Sequence, residues 1–528
     1  MATQFESTGK EGSEFLGHPT GLFVLFFAEM WERFSYYGMR ALLIFYLVQH
    51  WMFSDGEASV IYGAYTALVY ITPVIGGYLA DRYLGQRKAV LFGAVLLTFG
   101  HFLMAFEGSG GQGSTAINVF WLALAFIIVG SGFLKANISV IVGQLYPRTD
   151  PRRDPAYTIF YMGINLGAAL GSIIAGYLGQ TYGWSYGFGA AGFGMLLGLV
   201  VFMWGRPYLL GRGEAPDAAR LAQSVAGIKF EWLLYVLGFG AVGIVWLLIQ
   251  YQQLVGYLLG GAGLILVTYV LYTAVAKLPK DDRDRIFAAI YLIFGSILFW
   301  ALFEQAGSSL NLFTDRHVDR TIFGAEVPAS VFQSINAIYI VLLGPVFAML
   351  WIWLARRNME PSAPLKFGLG VVQLGLGFLV LVAGAATGGL TPVIFIFLIY
   401  LLHTTGELCL SPVGLSAMNR LAPAHMASLI MGTWFFASAT GNFAAGLIAS
   451  ATGAEGAADG EAAQEVVLGV YSTVGWTAVV VGVGMIVVSP LVKKLMHLDR
   501  LSDNDMLGQS ELGGPDAAGI NTSGEVRT

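Results

Sequence analysis

The fold of this chain is decided by a stretch near its start, FAEMWERFSYYGMRALLIFY, which runs from Phe27 to Tyr46. It lies within a long apolar run and yet carries four formal charges, Glu29, Glu32, Arg33 and Arg40. Residues three and four apart share a face of an α-helix, so these charges and Tyr36 form one stripe opposite a face of Phe, Met, Leu and Ile. A charge at the centre of a bilayer costs about 2.5–3.5 kcal/mol on insertion scales, so we expect this stripe to line a wet, functional cavity. The alternative is a stripe of salt bridges that only holds helices together.

The composition is that of a polytopic membrane protein. Of the 528 residues, 56% are apolar and 12% are charged, whereas a soluble protein carries about 25% charged residues. Apolar runs of about 18 residues or more recur from end to end, which predicts an all-α chain that crosses the bilayer many times. The first 18 residues are polar and have no basic n-region, so we expect no cleavable signal peptide. The sequence has no basic stripe, zinc-ligand spacing or P-loop, so we expect no nucleic-acid partner, no metal site and no cofactor.

Fourteen spans follow if about 20 apolar residues make one crossing. They are 21–47, 59–80, 88–106, 117–143, 156–178, 184–206, 230–250, 254–276, 285–306, 331–355, 367–388, 392–412, 426–450 and 468–495. Six spans, then two, then six predict two six-helix bundles with an inserted hairpin, an arrangement in which the bundles rock about a central site. The segments are an N-terminal tail (1–20), a first bundle (21–207), a linker and peripheral hairpin (208–283), a second bundle (284–498) and a C-terminal tail (499–528) that we expect to be disordered.

The basic residues predict the orientation. Of the 28 Lys and Arg residues, three lie within spans, two follow the ninth span and the remaining 23 lie on one side. An excess of Lys and Arg marks cytoplasmic loops, so we expect both termini in the cytoplasm and the acidic loop 453–466 outside.

Two positions in the first half stand out. Gly77-x-x-x-Asp81 joins the second and third spans; we expect Gly77 to permit close helix approach and Asp81 to cap the next turn or pair with an Arg, although a plain turn is the alternative. Lys135 is a single lysine in an apolar span, so it needs a carboxylate partner, for which Glu29 or Glu32 is the obvious candidate, unless it snorkels to the interface.

The fifth span opens with Tyr161 and Asn165, which are four residues apart and share a face. Asn165 either faces the cavity or only forms a hydrogen bond between helices. Gly163, Gly167 and Gly171 make a seam of small residues for helix packing.

In the second half, Glu304 is a lone carboxylate at the depth of Arg40, and we expect the two to pair across the bundles and close the cavity to the outside. The tenth span offers Asn336, and the twelfth has Glu407 as its only charge, followed by Ser411 and a proline at 412 that lets the helix bend. Trp434 of the thirteenth span is either a pocket wall or a packing aromatic.

Three motifs resemble those of the proton-dependent oligopeptide transporters, a branch of the major facilitator superfamily. They are ExxERFxYYG at 29–38, FYxxINxG at 160–167 and GELCLSPVG at 406–414, the last similar to the family's GExxLxPxG. Some relatives have a functional histidine in the second span, where this chain has Tyr62-Gly63-Ala64-Tyr65. The resemblance implies the major facilitator fold and the same inserted hairpin that bacterial peptide transporters have.

The resemblance and the charges together imply a dipolar peptide site. We expect Arg33, Lys135 and Asn165 to receive the carboxylate, and Glu407 with Asn336 to receive the ammonium group. The remaining substrate-binding candidates are Tyr36, Tyr37, Tyr70, Tyr161, Ser411 and Trp434, whose aromatic members tolerate many side chains. The candidates for proton coupling are Glu29, Glu32, Arg33, Lys135, Glu304 and Glu407, and Arg40–Glu304 and Lys135–Glu407 are the candidate gating pairs.

The sequence therefore predicts a symporter that imports di- and tripeptides with protons as the coupling ion, by alternating access, in a bacterial cytoplasmic membrane. A carrier of another small anion or metabolite, such as nitrate, is the nearest alternative, but a pure anion site does not favour two carboxylates. Proton-driven drug efflux would differ by the direction of transport. An ion channel, an intramembrane hydrolase and a structural scaffold are less favoured, because no filter repeat, Ser/His pair or HExxH motif is present and the two halves carry matched charges.

Overall fold

The computed structural model describes residues 13–147, 150–225, 227–386, 388–423, 426–453 and 461–498. Within these residues it contains fourteen helices of 19 residues or more, as the sequence predicts. They are α1 (Thr20–Phe45), α2 (Asp55–Leu79), α3 (Gln86–Met104), α4 (Ile117–Gln144), α5 (Arg153–Tyr182), α6 (Trp184–Trp204), α7 (Phe230–Gln250), α8 (Gln252–Lys277), α9 (Lys280–Phe303), α10 (Ser334–Arg356), α11 (Ala363–Ala385), α12 (Ile394–Leu421), α13 (Ala427–Ser450) and α14 (Glu461–Leu495). The predicted C-terminal tail lies outside the described residues, as do residues 1–12.

Short elements connect these helices. Single wide turns of π-helix extend α1 and α2 over Tyr46–His50 and Ala80–Leu84; 3₁₀ turns cover Arg206–Leu209, Glu304–Gly307 and Ala329–Gln333; short α-helices cover Ala218–Ala222 and Ser309–His317. Eight two-residue strands are β1 (Glu14–Phe15), β2 (His18–Pro19), β3 (Ser224–Val225), β4 (Ile228–Lys229), β5 (Val318–Asp319), β6 (Thr321–Ile322), β7 (Ala325–Glu326) and β8 (Thr391–Pro392). The pairs β1–β2, β3–β4 and β6–β7 are antiparallel, and β5–β8 is parallel.

Several helix ends differ from the predicted ones for local reasons. The helix α2 begins four residues early because Ser54 and Glu57 form a capping box, in which each side chain accepts a hydrogen bond from the other's backbone N–H. The helix α12 continues nine residues beyond the predicted end at 412. A proline removes one backbone hydrogen bond but does not end a helix that its neighbours hold in place.

The apolar side chains form two large clusters. One draws on α1–α7 and the other on α9–α14, and α8 contributes to both. The inserted helices lie at the periphery. On one side, Lys88 pairs with Glu231 of α7 at 2.7 Å. On the other, Gly256 and Gly263 of α8 lie against Phe443 and Phe436 of α13.

The predicted glycine seam joins α5 to α1. A β-carbon on Gly167 would lie 2.1 Å from the Met30 carbonyl oxygen, and one on Gly171 would lie 2.2 Å from that of Phe34. One turn earlier, a β-carbon on Gly163 would lie 2.8 Å from the Phe26 ring and 3.2 Å from the Phe26 carbonyl oxygen. The seam uses positions 26, 30 and 34 of α1, and the charged stripe lies beside this contact, with the Arg33 β-carbon 3.0 Å from a β-carbon built on Gly167.

The predicted close approach at Gly77 is wrong. A β-carbon there would have only the Ala136 β-carbon near it, at 3.9 Å, whereas one on the neighbouring Gly76 would lie 2.1 Å from the Gly132 carbonyl oxygen. The pattern indicated a helix contact but not which of two adjacent glycines makes it, since only the helix rotation decides that. Asp81 accepts a hydrogen bond from the Gln86 side-chain amide at 2.7 Å; among the described residues it neither caps the backbone of α3 nor pairs with an arginine.

The two bundles contact each other at one end, which we call the joined end. There Gly63 of α2 lies against Gly446 of α13, Ser330 donates its backbone N–H to Gln180 of α5 at 2.8 Å, and Asn311 donates to the Ala41 carbonyl of α1 at 3.1 Å. The other end carries most of the Lys and Arg residues, and we call it the basic end. The start of α10 is buried, but no side chain from position 341 to its end at 356 is. The bundles therefore meet at the joined end and diverge toward the basic end.

We predict that Gly167→Ala destabilises the first bundle, because the new methyl group would overlap the Met30 carbonyl. Overpacking of this kind costs about 1–3 kcal/mol. The measurement is the thermal unfolding midpoint in detergent, with Gly189→Ala of α6 as the matched control, since a β-carbon there would meet nothing within 4 Å. Equal unfolding midpoints for the two variants would contradict the close contact between Gly167 and the Met30 carbonyl.

Candidate functional site

The charged stripe of α1 is buried in this structure. Glu29, Glu32, Arg33, Tyr36 and Arg40 are between 1% and 6% exposed. The Arg33 Nε lies 2.8 Å from Glu29 Oε1 and 2.6 Å from Glu32 Oε2, so one guanidinium serves two carboxylates. Within the described residues, Glu29 Oε2, Glu32 Oε1 and Arg33 Nη2 have no hydrogen-bond partner, and Glu32 Oε2 has only its ion pair with Arg33. The cluster therefore carries one more carboxylate than cation and unused hydrogen-bonding capacity, which suits a site that accepts a proton or a charged ligand.

The predicted ion pair between Lys135 and a carboxylate of α1 is wrong in this state. The Lys135 Nζ lies 3.7 Å from the centre of the Tyr70 ring, and the described residues include no carboxylate within 4.0 Å of it. Glu29 and Glu32 lie within electrostatic reach but contact Arg33 instead. Arg33 is on the same helix as both carboxylates, so it pairs with them without any helix having to approach, and the ammonium group takes an aromatic face.

The predicted contact between Arg40 and Glu304 forms across the bundles. The Arg40 Nη2 contacts Glu304 Oε2, and both side chains are buried. The same guanidinium donates from Nε to the hydroxyl of Tyr62 on α2 and lies 5.7 Å from the ring centres of Tyr37 and Tyr62. The charged group of α1 that is nearest the joined end is thus satisfied by the opposite bundle.

A second ion pair across the bundles was not predicted. Arg316, at the end of the helix Ser309–His317, binds Asp55 of α2 through both guanidinium nitrogens, with Nη2 2.9 Å from Oδ1. Both residues lay in segments that the sequence analysis treated as loops. The one available signal was that Arg316 is one of only two basic residues on its side of the membrane.

The second bundle contributes a half-buried carboxylate. Glu407 of α12 accepts a hydrogen bond at 3.0 Å from Asn336 of α10, which also donates to Thr404 at 3.0 Å. The sequence indicated Glu407 and Asn336 but missed Thr404. Ser411 lies one turn further along α12 and is partly exposed. Trp434 is 7% exposed and packs inside the second bundle, with its ring centre 6.3 Å from that of Phe367 and its edge against Gly414.

Side chains from both bundles border the region around Tyr37 and Tyr161, which we call the shared space. Tyr37 of α1 lies within electrostatic reach of Arg33 and Arg40 on its own helix and of Glu304 and Glu407 on the other bundle. Tyr161 of α5 is 45% exposed and lies within reach of Glu407.

Asn165 of α5 is buried and donates to the Tyr161 carbonyl at 3.0 Å. Lys135 and Glu407 do not pair among the described residues, in keeping with bundles that diverge toward the basic end.

The comparison with protein families identifies this architecture. Residues 87–464 match the model of the POT family. This chain belongs to the POT family.

Relatives of similar length support the assignment. The chain is 38% identical to the uncharacterized transporter YclF of Bacillus subtilis (strain 168), with 91% of this chain and 96% of the relative covered. It is 37% identical to the peptide transporter YePEPT of Yersinia enterocolitica, with 85% and 90% covered. It is 32% identical to the dipeptide and tripeptide permease B of Salmonella typhimurium, with 91% and 97% covered. A crystal structure of a mutant of the peptide transporter POT in complex with alafosfalin superimposes with a TM-score of 0.79 at 36% identity, with 92% of this chain and 97% of that chain covered.

We predict that Asp55 and Arg316 help to hold the joined end of this POT-family protein closed. Asp55→Arg and Arg316→Asp each oppose like charges across the bundles and should favour an open joined end, whereas the double reversal restores attraction. The measurement is the distance between spin labels on the two bundles at that end. The two side chains are 25% and 41% exposed, so the effect should be small, about 1 kcal/mol or less, and should weaken as salt is added. A double variant as open as the single ones would contradict the prediction.

Proposed function

We propose that this protein is a proton-coupled symporter that imports di- and tripeptides by alternating access. The observation that carries the proposal is the charge separation across the shared space, with Arg33 and Lys135 on the first bundle and Glu407 on the second. The names of two relatives, a peptide transporter and a dipeptide and tripeptide permease, support the choice of substrate.

The geometry suits a zwitterion of peptide length. A di- or tripeptide spans about 7–11 Å when extended, and it carries one charge at each end. We propose that its carboxylate binds near Arg33, Lys135 and Asn165, and that its ammonium group binds Glu407 beside Asn336. Lys135 is free of an ion pair among the described residues, so it can accept a carboxylate without first losing one.

Aromatic side chains line the route between these charges. The rings that we assign to the walls are those of Tyr36, Tyr37, Tyr70 and Tyr161, with Ser411 and Trp434 as further candidates on the second bundle. Flat rings contact side chains of many shapes, which suits a carrier of peptides with varied sequences. Trp434 is packed against Phe367 and Gly414 here, so its contribution depends on movement of α12 or α13.

The structure corresponds, in this proposal, to a state open to the cytoplasm. The basic end would be cytoplasmic by the positive-inside rule, with both termini on that side of a bacterial inner membrane. In the proposed cycle, protonation of Glu304 releases Arg40 and opens the joined end to peptide. A pair between Lys135 and Glu407 then closes the basic end.

The proton passes to the Glu29, Glu32, Arg33 and Lys135 cluster and leaves inward. Each proton that moves down the membrane potential supplies about 2.3 kcal/mol per 100 mV.

An anion carrier is the second candidate, since the unpaired ammonium group of Lys135 would also attract a small anion such as nitrate. Two observations weigh against it. Glu407 has no cation paired with it among the described residues, and Glu29 and Glu32 share the single guanidinium of Arg33, so these carboxylates would repel an anion.

The decisive experiment is uptake by liposomes that contain the purified protein. We expect an alanine dipeptide to accumulate above its outside concentration when the outside is acidic, because the inward proton gradient drives the coupled step. Without a gradient, uptake should stop at equal concentrations. Unlabelled tripeptide should compete, and nitrate or free alanine should not. Uptake that is indifferent to the gradient would contradict coupling, and competition by nitrate alone would favour the anion carrier.

We also predict that Glu32→Gln abolishes concentrative uptake and keeps peptide counterflow. The amide cannot carry a proton, but it preserves the volume of a fully buried side chain beside Arg33. Glu461→Gln is the control, since Glu461 is an exposed residue in the first turn of α14. Concentrative uptake that survives in Glu32→Gln would count against a proton role for this residue.

A further inference from the structure

The contact between Arg40 and Glu304 has a third member, Tyr62. This side chain of α2 is 2% exposed, and its hydroxyl accepts a hydrogen bond from Arg40 Nε. Arg40 then presents Nη2 to Glu304. A guanidinium is a planar group with donors in a fixed fork, so a partner at Nε sets the direction of the remaining N–H groups. Tyr62 and Arg40 belong to the same bundle, and their contact does not depend on whether the bundles meet.

The opposite bundle rests on the Tyr62 hydroxyl itself. A β-carbon built on Gly307 would lie 1.8 Å from that hydroxyl oxygen, so the 3₁₀ turn Glu304–Gly307 approaches to a distance that only glycine allows. One residue further along α2, a β-carbon on Gly63 would lie 2.7 Å from the Gly446 Cα. At Gly63, α2 and the second bundle therefore meet backbone to backbone. At Gly307, the polar group at the contact is the hydroxyl of Tyr62.

We propose that Tyr62 is a positioning residue that sets the pH at which the joined end opens. Its hydroxyl holds Arg40 in the orientation that binds Glu304, so less side-chain freedom is lost when the bundles close. Without the hydroxyl, Arg40 is freer when the bundles are apart, the closed arrangement is weaker, and less acid is needed to release Glu304. This assignment rests on the proposed function only for its transport readout.

The ionisable groups near this contact restrict what titrates. Besides the Arg40–Glu304 pair, those within electrostatic reach of it are Tyr36, Tyr37, Tyr65, Tyr70, Tyr400, Lys135 and Glu407. Tyrosines stay neutral between pH 5 and 8. In this proposal the group that releases Arg40 is the Glu304 carboxylate, and Lys135 and Glu407 are the other nearby groups whose charge can change.

The experiment compares Tyr62→Phe with Tyr65→Phe. Tyr65 is one turn away on the same helix and fully buried, and its hydroxyl has no hydrogen-bond partner among the described residues, so its removal tests packing alone. Spin labels at Met52 and Phe323, both exposed residues on different bundles near the joined end, report opening in a Cys409→Ala background. The label distance and the initial rate of dipeptide uptake are both recorded from pH 5 to 8.

We expect the midpoint of the Tyr62→Phe profile to rise by about one pH unit, as loss of a hydrogen bond to a charged group implies. The Tyr65→Phe profile should coincide with that of the unmodified protein. In Gly307→Ala the new methyl group would overlap the same hydroxyl from the other bundle, so this variant should also raise the midpoint. It provides the test if Tyr62→Phe does not fold. Coincidence of the Tyr62→Phe and Tyr65→Phe profiles, or a Gly307→Ala profile equal to that of the unmodified protein, would overturn the inference.

The label distance separates this inference from the proposed function. A midpoint that shifts in protein that transports no peptide would keep Tyr62 as a positioning residue and reject the symporter. Proton-driven uptake together with coincident label profiles would keep the symporter and reject the role of Tyr62.

Discussion

One guanidinium shared by two buried carboxylates is the constraint on which this structure depends. Arg33 lies between Glu29 and Glu32 on a helix that crosses the membrane, and its charge does not neutralise both. Such a helix cannot face lipid on that side, because an unpaired charge in hydrocarbon is costly. The glycine seam of α5 supports α1 on another side, and the charged side faces the space between the bundles. The requirement for a wet interior follows from this arrangement of charges on one helix.

The same logic accounts for the division of the chain into two bundles. Arg40 has no carboxylate partner on its own bundle among the described residues, and its partner Glu304 lies on the other. In the part of the chain that the structure describes, Glu407 likewise has an amide and no cation beside it, while Lys135 has an aromatic ring and no carboxylate. Each bundle therefore holds charges that its own residues leave unpaired, and contact between the bundles, a proton or a ligand can satisfy them. Two arrangements of such charges are the physical basis for alternating between two open ends.

Much of this could be predicted from sequence, because span length and helical periodicity are local properties. The number of spans, the stripe of α1, the seam at Gly163 to Gly171 and the Arg40–Glu304 contact all follow from spacing or from matched depth. The partner of Lys135 could not be predicted, since Arg33 competes for the same carboxylates and distance alone decides. The pair Asp55–Arg316 was missed because it joins two loop ends that come together only in the folded chain. The sequence analysis named Gly77 where Gly76 makes the contact. The two residues differ by a rotation of 100° about the helix axis, and the sequence pattern does not give that rotation.

The two ion pairs across the bundles have opposite polarity and different burial. Because of the difference in burial, most of the free-energy cost of separating the bundles falls on the Arg40–Glu304 pair. In the deep pair the first bundle supplies the cation, and in the shallow pair it supplies the carboxylate. The shallow pair is partly exposed, so water replaces its partners when the bundles separate, and its loss costs about 1 kcal/mol or less. The deep pair is buried, and a buried ion left without its partner costs about 3–5 kcal/mol. Protonation of a carboxylate removes that penalty from one member, whereas Arg40 stays charged and has Tyr62 of its own bundle as a hydrogen-bond partner. In the proposed cycle, the energetic link between a proton and the movement of the bundles therefore lies at Glu304, and the side chains around Arg40 would determine how strong that link is.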